Sequence, residues 1–190
     1  MDLTEYVRTF AGLMSPSGKR PGYKYASTYE LVAAEGRGFV SAGLTVDQHA
    51  YVRSVIRGRG RFPWKQCFSS SQLVKLNDRE NRLEYYEGYA VCATGIPVHH
   101  GWLVLDGDRV IDLTWRKHGL ARVRRKLEHT RIFGEFPTGW GYFGMNVASG
   151  SDIRRYAVTY GEWASFLDNW REGFPLMRES SNQAHDGGAP

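Results

Sequence analysis

Three residues near the middle of the chain have the side-chain types of a catalytic triad with a cysteine nucleophile: Cys67, His100 and Asp112. A thiolate attacks carbonyl carbons, and a helix N-terminus together with a neighbouring imidazolium favours the thiolate form. A histidine in such a site takes up and returns the proton, while a carboxylate fixes the ring tautomer and stabilises the charged ring. These residues, in this order, predict a Cys-His-Asp triad.

A helix and three strands are predicted to position this group. The helix begins at Cys67 and continues to residue 77, with Leu73 and Leu76 facing inward. His100 and Asp112 lie on the second and third of three strand-like runs, which cover residues 83–91, 98–105 and 109–115.

The sequence Asp106-Gly107 indicates a hairpin between the last two strands, because both residues accept the positive φ of a tight turn. An ideal two-residue turn places His100 opposite Leu113. A longer loop that includes Asp108, or a bulge, pairs His100 directly with Asp112 instead. The triad therefore predicts a departure from the ideal hairpin.

The remaining sequence predicts further helices around an antiparallel sheet. Apolar spacing and capping residues indicate helices at residues 4–14, 27–36, 45–57 and 119–129. A final helix is predicted after a cap at residues 159–162, with a buried stripe of Trp163, Phe166, Leu167 and Trp170. Residues 139–147 are predicted to form a loop or an edge strand. Together these elements indicate an α+β fold.

The composition excludes several classes of protein. The chain has 190 residues, of which 42% are hydrophobic and 24% charged, so it fits one folded domain rather than a disordered chain. No apolar run approaches the roughly 20 residues of a membrane helix, and the N-terminus lacks the layout of a signal peptide. Two cysteines exclude a disulfide framework and a four-thiolate zinc site. We expect a cytoplasmic protein with reduced thiols and no membrane partner.

Positive charge is concentrated in two segments. Between Arg53 and Lys65 there are five basic residues and no acidic one, and between Arg116 and Arg131 there are seven against the single acid Glu128. Such segments attract an acidic or polyanionic partner, although solvated faces of a helix or loop have the same composition. No zinc-finger or RNP-type motif accompanies them.

Short motifs around the triad resemble a known family. Residues 87–90 are Glu-Gly-Tyr-Ala, residues 100–102 are His-Gly-Trp and residues 112–115 are Asp-Leu-Thr-Trp. In this order they resemble the transglutaminase-like branch of the papain-like cysteine enzymes, in particular its small bacterial and phage members. That branch typically shows Gly-Tyr, His-Ala-Trp and Asp-Pro-Thr. Here Gly101 and Leu113 replace the usual Ala and Pro, and three serines at 69–71 follow the cysteine where the family often has a longer helix with small residues.

The resemblance implies a papain-like or transglutaminase-like α+β core in a single domain at residues 1–178. Within it, residues 1–62 are the helical N-terminal half and residues 63–116 the catalytic core. It also implies a cysteine-dependent acyl-transfer enzyme, either a protease or amidase or a transglutaminase-like enzyme, that acts on a protein, peptide or small amide. Cys67 is then the nucleophile, His100 the general base and acid, and Asp112 the orienting group, with no cofactor and no metal. The polar residues 179–190 are predicted to be a disordered tail.

Further residues are candidates for contacts with the substrate. The Cys67 backbone N–H is expected to contribute to the oxyanion hole, with Gln66 and the indole of Trp64 as candidates for the second donor. Glu87 is predicted to be either a substrate contact or a solvated strand residue. The candidates for the cleft wall or for a substrate contact are Trp102, Tyr89 and His99.

Several alternatives remain open at this level. His99 competes with His100, but neighbouring strand residues face opposite sides, and the His-x-Trp match favours His100. Cys67 is alternatively an inert buried thiol, or a zinc ligand with His99, His100 and Asp112, although the usual ligand spacing is missing. The rival functions are an inactive basic module that binds nucleic acid or an acidic partner, and an enzyme of this fold that acts on a small metabolite.

Overall fold

A computed structural model of the chain describes residues 2–14, 18–58, 62–63, 65–117 and 131–179. Over these residues the chain forms an α+β structure in which helices pack on a six-stranded antiparallel sheet. The α-helices are α1 (Leu3–Met14), α2 (Thr28–Glu35), α3 (Val46–Ile56), α4 (Cys67–Lys75) and α5 (Gly150–Tyr160). The strands are β1 (Arg37–Gly38), β2 (Leu83–Val91), β3 (Val98–Leu105), β4 (Arg109–Arg116), β5 (Arg131–Phe133) and β6 (Gly141–Ala148).

The sheet has the strand order β1-β6-β2-β3-β4-β5, with β2 and β3 at its centre. β2 and β3 pair along almost their whole length. The ambiguous segment 139–147 corresponds to β6, which lies between β2 and the two-residue strand β1. The bounds of β2 and β3 agree with the predicted strands, and β4 is one residue longer than predicted.

The hairpin between β3 and β4 has a three-residue loop. Leu105 pairs with Arg109, so that Asp106, Gly107 and Asp108 form the loop. Asp106 and Gly107 have φ angles of 50° and 83°, in the left-handed region that these residue types tolerate. The ideal two-residue turn is therefore wrong, and the inclusion of Asp108 in the loop is confirmed.

The β3–β4 pairing is short and ends at Leu103 opposite Ile111. The direct pairing of His100 with Asp112 is therefore wrong. Continued past its last pair, this register places Trp102 opposite Asp112 and His100 two residues further along the same face. His100 and Asp112 are thus diagonal neighbours, at the point where the two strands stop pairing.

The two faces of the sheet are covered differently. One face packs on α3, α4 and α5 through a cluster that includes Val52, Val74, Tyr85, Leu103, Ile111 and Ile153. The opposite face carries an aromatic cluster with Tyr86, Trp102, Val104, Val110, Ile132 and Tyr142. His100 and Asp112 point to the aromatic face, because they alternate with Leu103 and Ile111 along their strands.

Two N-terminal helices begin where their capping residues predict. The Ser27 side chain accepts a hydrogen bond from the Glu30 N–H at 3.1 Å, at the start of α2. Thr45 and Gln48 form a complete capping box at the start of α3, which ends before Gly58 as predicted. These short polar side chains satisfy backbone groups that a helix end leaves unpaired.

The last helix, α5, lies earlier in the chain than predicted. It begins with a capping box between Ser149 and Asp152, and it ends at Gly161, whose φ of 69° stops the helix. The predicted helix after residue 159 is wrong, since residues 161–174 have no regular secondary structure. In this segment Phe166 and Leu167 are nevertheless buried, whereas Trp170 is 65% exposed.

Two predicted segments lie outside the described residues: the basic helix at 119–129, and residues 180–190 of the predicted tail. In the part of the chain that the structure describes, no helix combines the length and apolar character needed to cross a membrane.

Candidate active site

Helix α4 begins at Cys67, as predicted, and places this thiol at a helix N-terminus. Gln66 is the N-cap residue, and its side chain makes no capping hydrogen bond to the helix. The first N–H groups of α4 therefore receive no side-chain cap from Gln66. Cys67 itself is 8% exposed, so the residue is almost fully buried.

The His100 ring joins the thiol to a carboxylate. Its Nε2 lies 2.7 Å from Asp112 Oδ2, and Cys67 is close enough to help raise the pKa of the ring. Because Asp112 occupies Nε2, Nδ1 is the ring nitrogen left to exchange a proton with the thiol. The side chains of His100 and Asp112 are 4% and 1% exposed. His100 thus interacts with both of the other residues of the predicted triad, Asp112 by a direct contact and Cys67 through its effect on the ring.

The Asp112 carboxylate is surrounded by hydrogen-bond donors. Its Oδ1 accepts bonds from the Thr114 N–H at 2.8 Å, the Thr114 hydroxyl at 2.9 Å and the Trp115 N–H at 3.1 Å. Its Oδ2 accepts the Tyr142 hydroxyl at 3.0 Å besides His100. Burial by itself would raise the pKa of Asp112, but the charge of His100 and these bonds hold it below its ordinary value.

A bulge in β4 supplies two of those donors. Asp112 pairs with Ile132 on β5, whereas Arg116 already pairs with the adjacent Arg131. Residues 113–115 therefore leave the regular ladder. The N–H groups of Thr114 and Trp115 donate to the carboxylate, which is why a buried charge is tolerated here.

His100 is held in its charged form. Burial would lower the pKa of this ring, because a charged imidazole loses solvation. The negative charge and hydrogen bond of Asp112 outweigh burial, Cys67 adds to the effect, and the pKa of His100 is raised to about 10. At neutral pH the ring is therefore an imidazolium, the state that stabilises a thiolate beside it.

Aromatic rings fix the plane of the His100 imidazole. Trp115 stacks on it with ring centroids 4.4 Å apart and an interplanar angle of 26°. Trp102 and Tyr142 lie further out, each with its ring centroid 6.3 Å from that of His100. These rings shield the contact between His100 and Asp112 from water, which strengthens its electrostatic component.

Helix α4 approaches β3 closely at Gly101. A Cβ on Gly101 would lie only 2.8 Å from Phe68 Cδ1, and the Ser71 hydroxyl donates to the Gly101 carbonyl at 3.3 Å. Ser70 and Ser71 are 2% and 1% exposed, so the serine run provides small side chains against the sheet. This close approach brings the first turn of α4 to the place where β3 and β4 stop pairing.

Glu87 was not recognised as a buried residue, and both expectations for it, a substrate contact or a solvated side chain, are wrong. It is 0% exposed on β2. Its carboxylate accepts bonds from the Tyr85 hydroxyl at 2.6 Å, the Ser165 hydroxyl at 2.5 Å, and the N–H groups of Phe166 and Leu167 at 2.8 and 3.0 Å. Burial would raise its pKa, but His99 and these donors lower it. The signal was available: like Asp112, Glu87 is an acid within a strand of apolar and aromatic residues.

His99 lies on the face of β3 opposite His100 and next to Glu87. Its Nε2 is 3.4 Å from Glu87 Oε2, which is an ion-pair distance, but the angle does not make a hydrogen bond and the nitrogen is buried. The ring as a whole is 29% exposed. Its centroid is 5.1 Å from that of Phe68 and 6.1 Å from that of Tyr89. His99 thus lies beside the first turn of α4, without contacting Asp112.

The other candidate substrate contacts are dispersed around this centre. Gln66 is exposed at the start of α4, and Trp64 lies outside the described residues. Trp102 is 0% exposed and packs behind His100. Tyr89 is 5% exposed and stacks on Tyr29, with ring centroids 4.3 Å apart. Of these, Gln66 and His99 are the ones with exposed surface next to the first turn of α4.

The basic segments are only partly described. Between Arg116 and Arg131, the described residues include Lys117, which lies 3.7 Å from Glu135, and Arg131, whose guanidinium lies 4.8 Å from the centre of the Phe62 ring. Arg131 is 4% exposed, and burial lowers its pKa. A polyanion-binding surface therefore stays a prediction. Within the described ranges, no group of three or more His, Cys, Asp or Glu side chains is arranged to hold a metal ion.

The sequence matches no family model, and neither the curated proteins nor the solved structures contain a significant match to the chain.

Proposed function

We propose that this protein is a cysteine-dependent acyl-transfer enzyme that hydrolyses or transamidates amides through a thioester, on a papain-like or transglutaminase-like core. The observation that carries the proposal is the buried His100–Asp112 pair, 2.7 Å apart, together with Cys67 at a helix N-terminus close enough to perturb the His100 ring. A buried imidazolium next to a thiol is the arrangement that nucleophilic cysteine chemistry requires.

Acylation begins when the Cys67 thiolate adds to the amide carbonyl carbon. Negative charge then develops on the carbonyl oxygen, and His100 donates its Nδ1 proton to the leaving amine as the C–N bond breaks. A thioester remains on Cys67. Water or an amine then attacks this thioester and releases the thiolate. Asp112 keeps the ring orientation constant throughout and stabilises its charged form.

The oxyanion is expected to bind at the N-terminus of α4. The Cys67 N–H belongs to the first turn of the helix, where backbone donors and the helix dipole favour negative charge. Gln66 precedes Cys67, is exposed and makes no capping bond, so its side-chain amide is available as a second donor. Substitution of Gln66 by Ala is expected to lower turnover without slowing alkylation of the thiol.

Alkylation of Cys67 by iodoacetamide tests the activated thiol directly. The rate is measured from pH 6 to 9 by mass spectrometry in a Cys92→Ser background, so that a single thiol reacts. At pH 6.5 the protein with His100 is expected to react about tenfold or more faster than His100→Ala, because the imidazolium stabilises the thiolate. His49→Ala, which removes a histidine on α3 instead, is the matched control.

Equal alkylation rates with and without His100, following the pH dependence of an ordinary thiol, would contradict the proposal. The basic binding module would then be tested next, through the salt dependence of polyanion binding. If the thiol is activated, release of amine from peptide amides and p-nitroanilides, with and without an added amine acceptor, separates hydrolysis from transamidation.

A further inference from the structure

Two consecutive histidines on β3 each face a fully buried carboxylate. His100 faces Asp112 on one side of the sheet, and His99 faces Glu87 on the other. Both acidic residues are 0% exposed, and each carboxylate accepts two backbone N–H groups and two hydroxyl groups. The His99–Glu87 pair therefore has the same kind of surroundings as the His100–Asp112 pair, although the proposed acylation step uses only His100 and Asp112.

Helix α4 lies on the same face of the sheet as His99. Gly101, two residues after His99, contacts Phe68 and Ser71 of that helix. Phe68 follows Cys67 directly, and its ring packs against His99 at 5.1 Å between centroids. His99 therefore packs against the residue that follows Cys67 on α4, whereas His100 interacts with Cys67 itself.

The two rings differ in their access to solvent. The side chain of His100 is 4% exposed, whereas that of His99 is 29% exposed. Because Nε2 of His99 is buried toward Glu87, the exposed surface belongs to the rest of the ring. Water or an amine can therefore reach the outer edge of His99 more easily than any edge of His100.

We propose that His99, oriented by Glu87, is the general base that activates the water or amine acceptor in the second half of the reaction. This inference rests on the proposed acyl-transfer function and assigns a separate base to the deacylation step. Glu87 is a positioning residue, since it acts through His99.

In this step the oxygen of water, or the nitrogen of an amine, forms a bond to the thioester carbonyl carbon. His99 Nδ1 takes the proton that the nucleophile loses, while the Nε2–H points to Glu87. The C–S bond then breaks, and its electron pair stays on Cys67 as the thiolate beside His100. The products are a carboxylic acid or a new amide, and His99 returns its proton to solvent as His100 takes one up.

Burst kinetics with p-nitrophenyl acetate separate the two half-reactions, again in the Cys92→Ser background. The burst of p-nitrophenolate reports acylation of Cys67, and the steady state reports deacylation. His99→Gln keeps an amide that can donate to Glu87 but removes the base. We expect an unchanged burst rate and a fall of about 100-fold in the steady-state rate, with His49→Gln as the matched control.

A second measurement distinguishes the loss of a general base from a general structural effect of the substitution. Hydroxylamine attacks thioesters without a base, so it is expected to release the acyl group at equal rates from the two proteins with and without His99. A steady-state rate unchanged by His99→Gln, or a burst slowed as much as the steady state, would overturn the role of His99. If no burst and no acyl-enzyme form even with His99 present, the acyl-transfer function itself fails, and the role of His99 fails with it.

Discussion

At the scale of single residues, the site depends on charges that are buried together. Asp112 interrupts an apolar strand, where a buried charge needs a partner, and the structure places His100 at 2.7 Å from it. The same argument applies to Glu87, but the sequence could not indicate that three of its donors come from residues 165–167. A buried acid can be recognised from its strand, whereas its partners depend on packing that a single sequence does not specify.

The stability of the fold is expected to fall as pH rises from 6.5 to 9.5. The pKa of His100 is about 10 in the folded protein, against about 6.5 in an unfolded chain. Its contribution is therefore complete below pH 6.5, where both states are protonated, and declines as the pH approaches 10. Urea unfolding at pH 6.5 and 9.5 is expected to show a loss of about 1 to 3 kcal/mol.

The comparison protein for this pH effect is His100→Gln, which lacks the titrating ring. Its free energy of unfolding is expected to change much less over the same interval. Parallel pH profiles for the two proteins would mean that His100 does not keep its proton in the folded state.

At the scale of elements, strands were predicted more accurately than their register. The bounds of β2 and β3 follow from local residue types, and both agree with the structure. The loop of the β3–β4 hairpin has three residues, including Asp108, instead of the two of an ideal turn. The residue types at the turn permit both loop lengths, so they do not determine the register. The predicted helix after residue 159 failed although Phe166 and Leu167 are buried, since Glu87 on a distant strand takes their N–H groups.

Helix α4 is expected to move if Gly101 gains a side chain. Gly101→Ala places a Cβ 2.8 Å from Phe68 Cδ1 and 3.1 Å from the Tyr85 hydroxyl, so the first turn of the helix must shift away from the sheet. We expect a loss of about 1 to 3 kcal/mol in the free energy of unfolding, and slower alkylation of Cys67. Gly38→Ala is the control, because its Cβ meets only Phe143 Cδ2, at 3.8 Å.

A double substitution shows whether the ring of Phe68 transmits this effect. Phe68→Ala removes the atom that the new Cβ would contact, so Gly101→Ala is expected to cost less stability and less thiol reactivity in that background. Additive effects of the two substitutions would locate the strain elsewhere, at Tyr85 or in the backbone of β3.

At the scale of the whole molecule, Glu87 joins three parts of the chain around the site. Its carboxylate binds Tyr85 on its own strand, and the Tyr85 hydroxyl accepts a bond from Gln72 of α4 at 3.0 Å. Gln72 also donates to the Ala164 carbonyl at 2.7 Å, so α4 and the irregular segment after α5 share one network. The helix that carries Cys67 is therefore held by a segment about 100 residues away, which explains why local periodicity could not predict that segment.

Removal of the Glu87 carboxylate is expected to destabilise the segment at residues 164–167 more than the rest of the molecule. Glu87→Ala leaves the N–H groups of Phe166 and Leu167 without an acceptor, and the fold loses about 3 kcal/mol or more of stability. In hydrogen exchange, these two amides are expected to exchange about 100-fold faster, well beyond the change in the amides of β3. Glu84→Ala, on the same strand, is the matched control and is expected to leave both amides protected. Retained protection of Phe166 and Leu167 in Glu87→Ala would mean that their apolar contacts alone hold the segment, and that α4 is positioned without it.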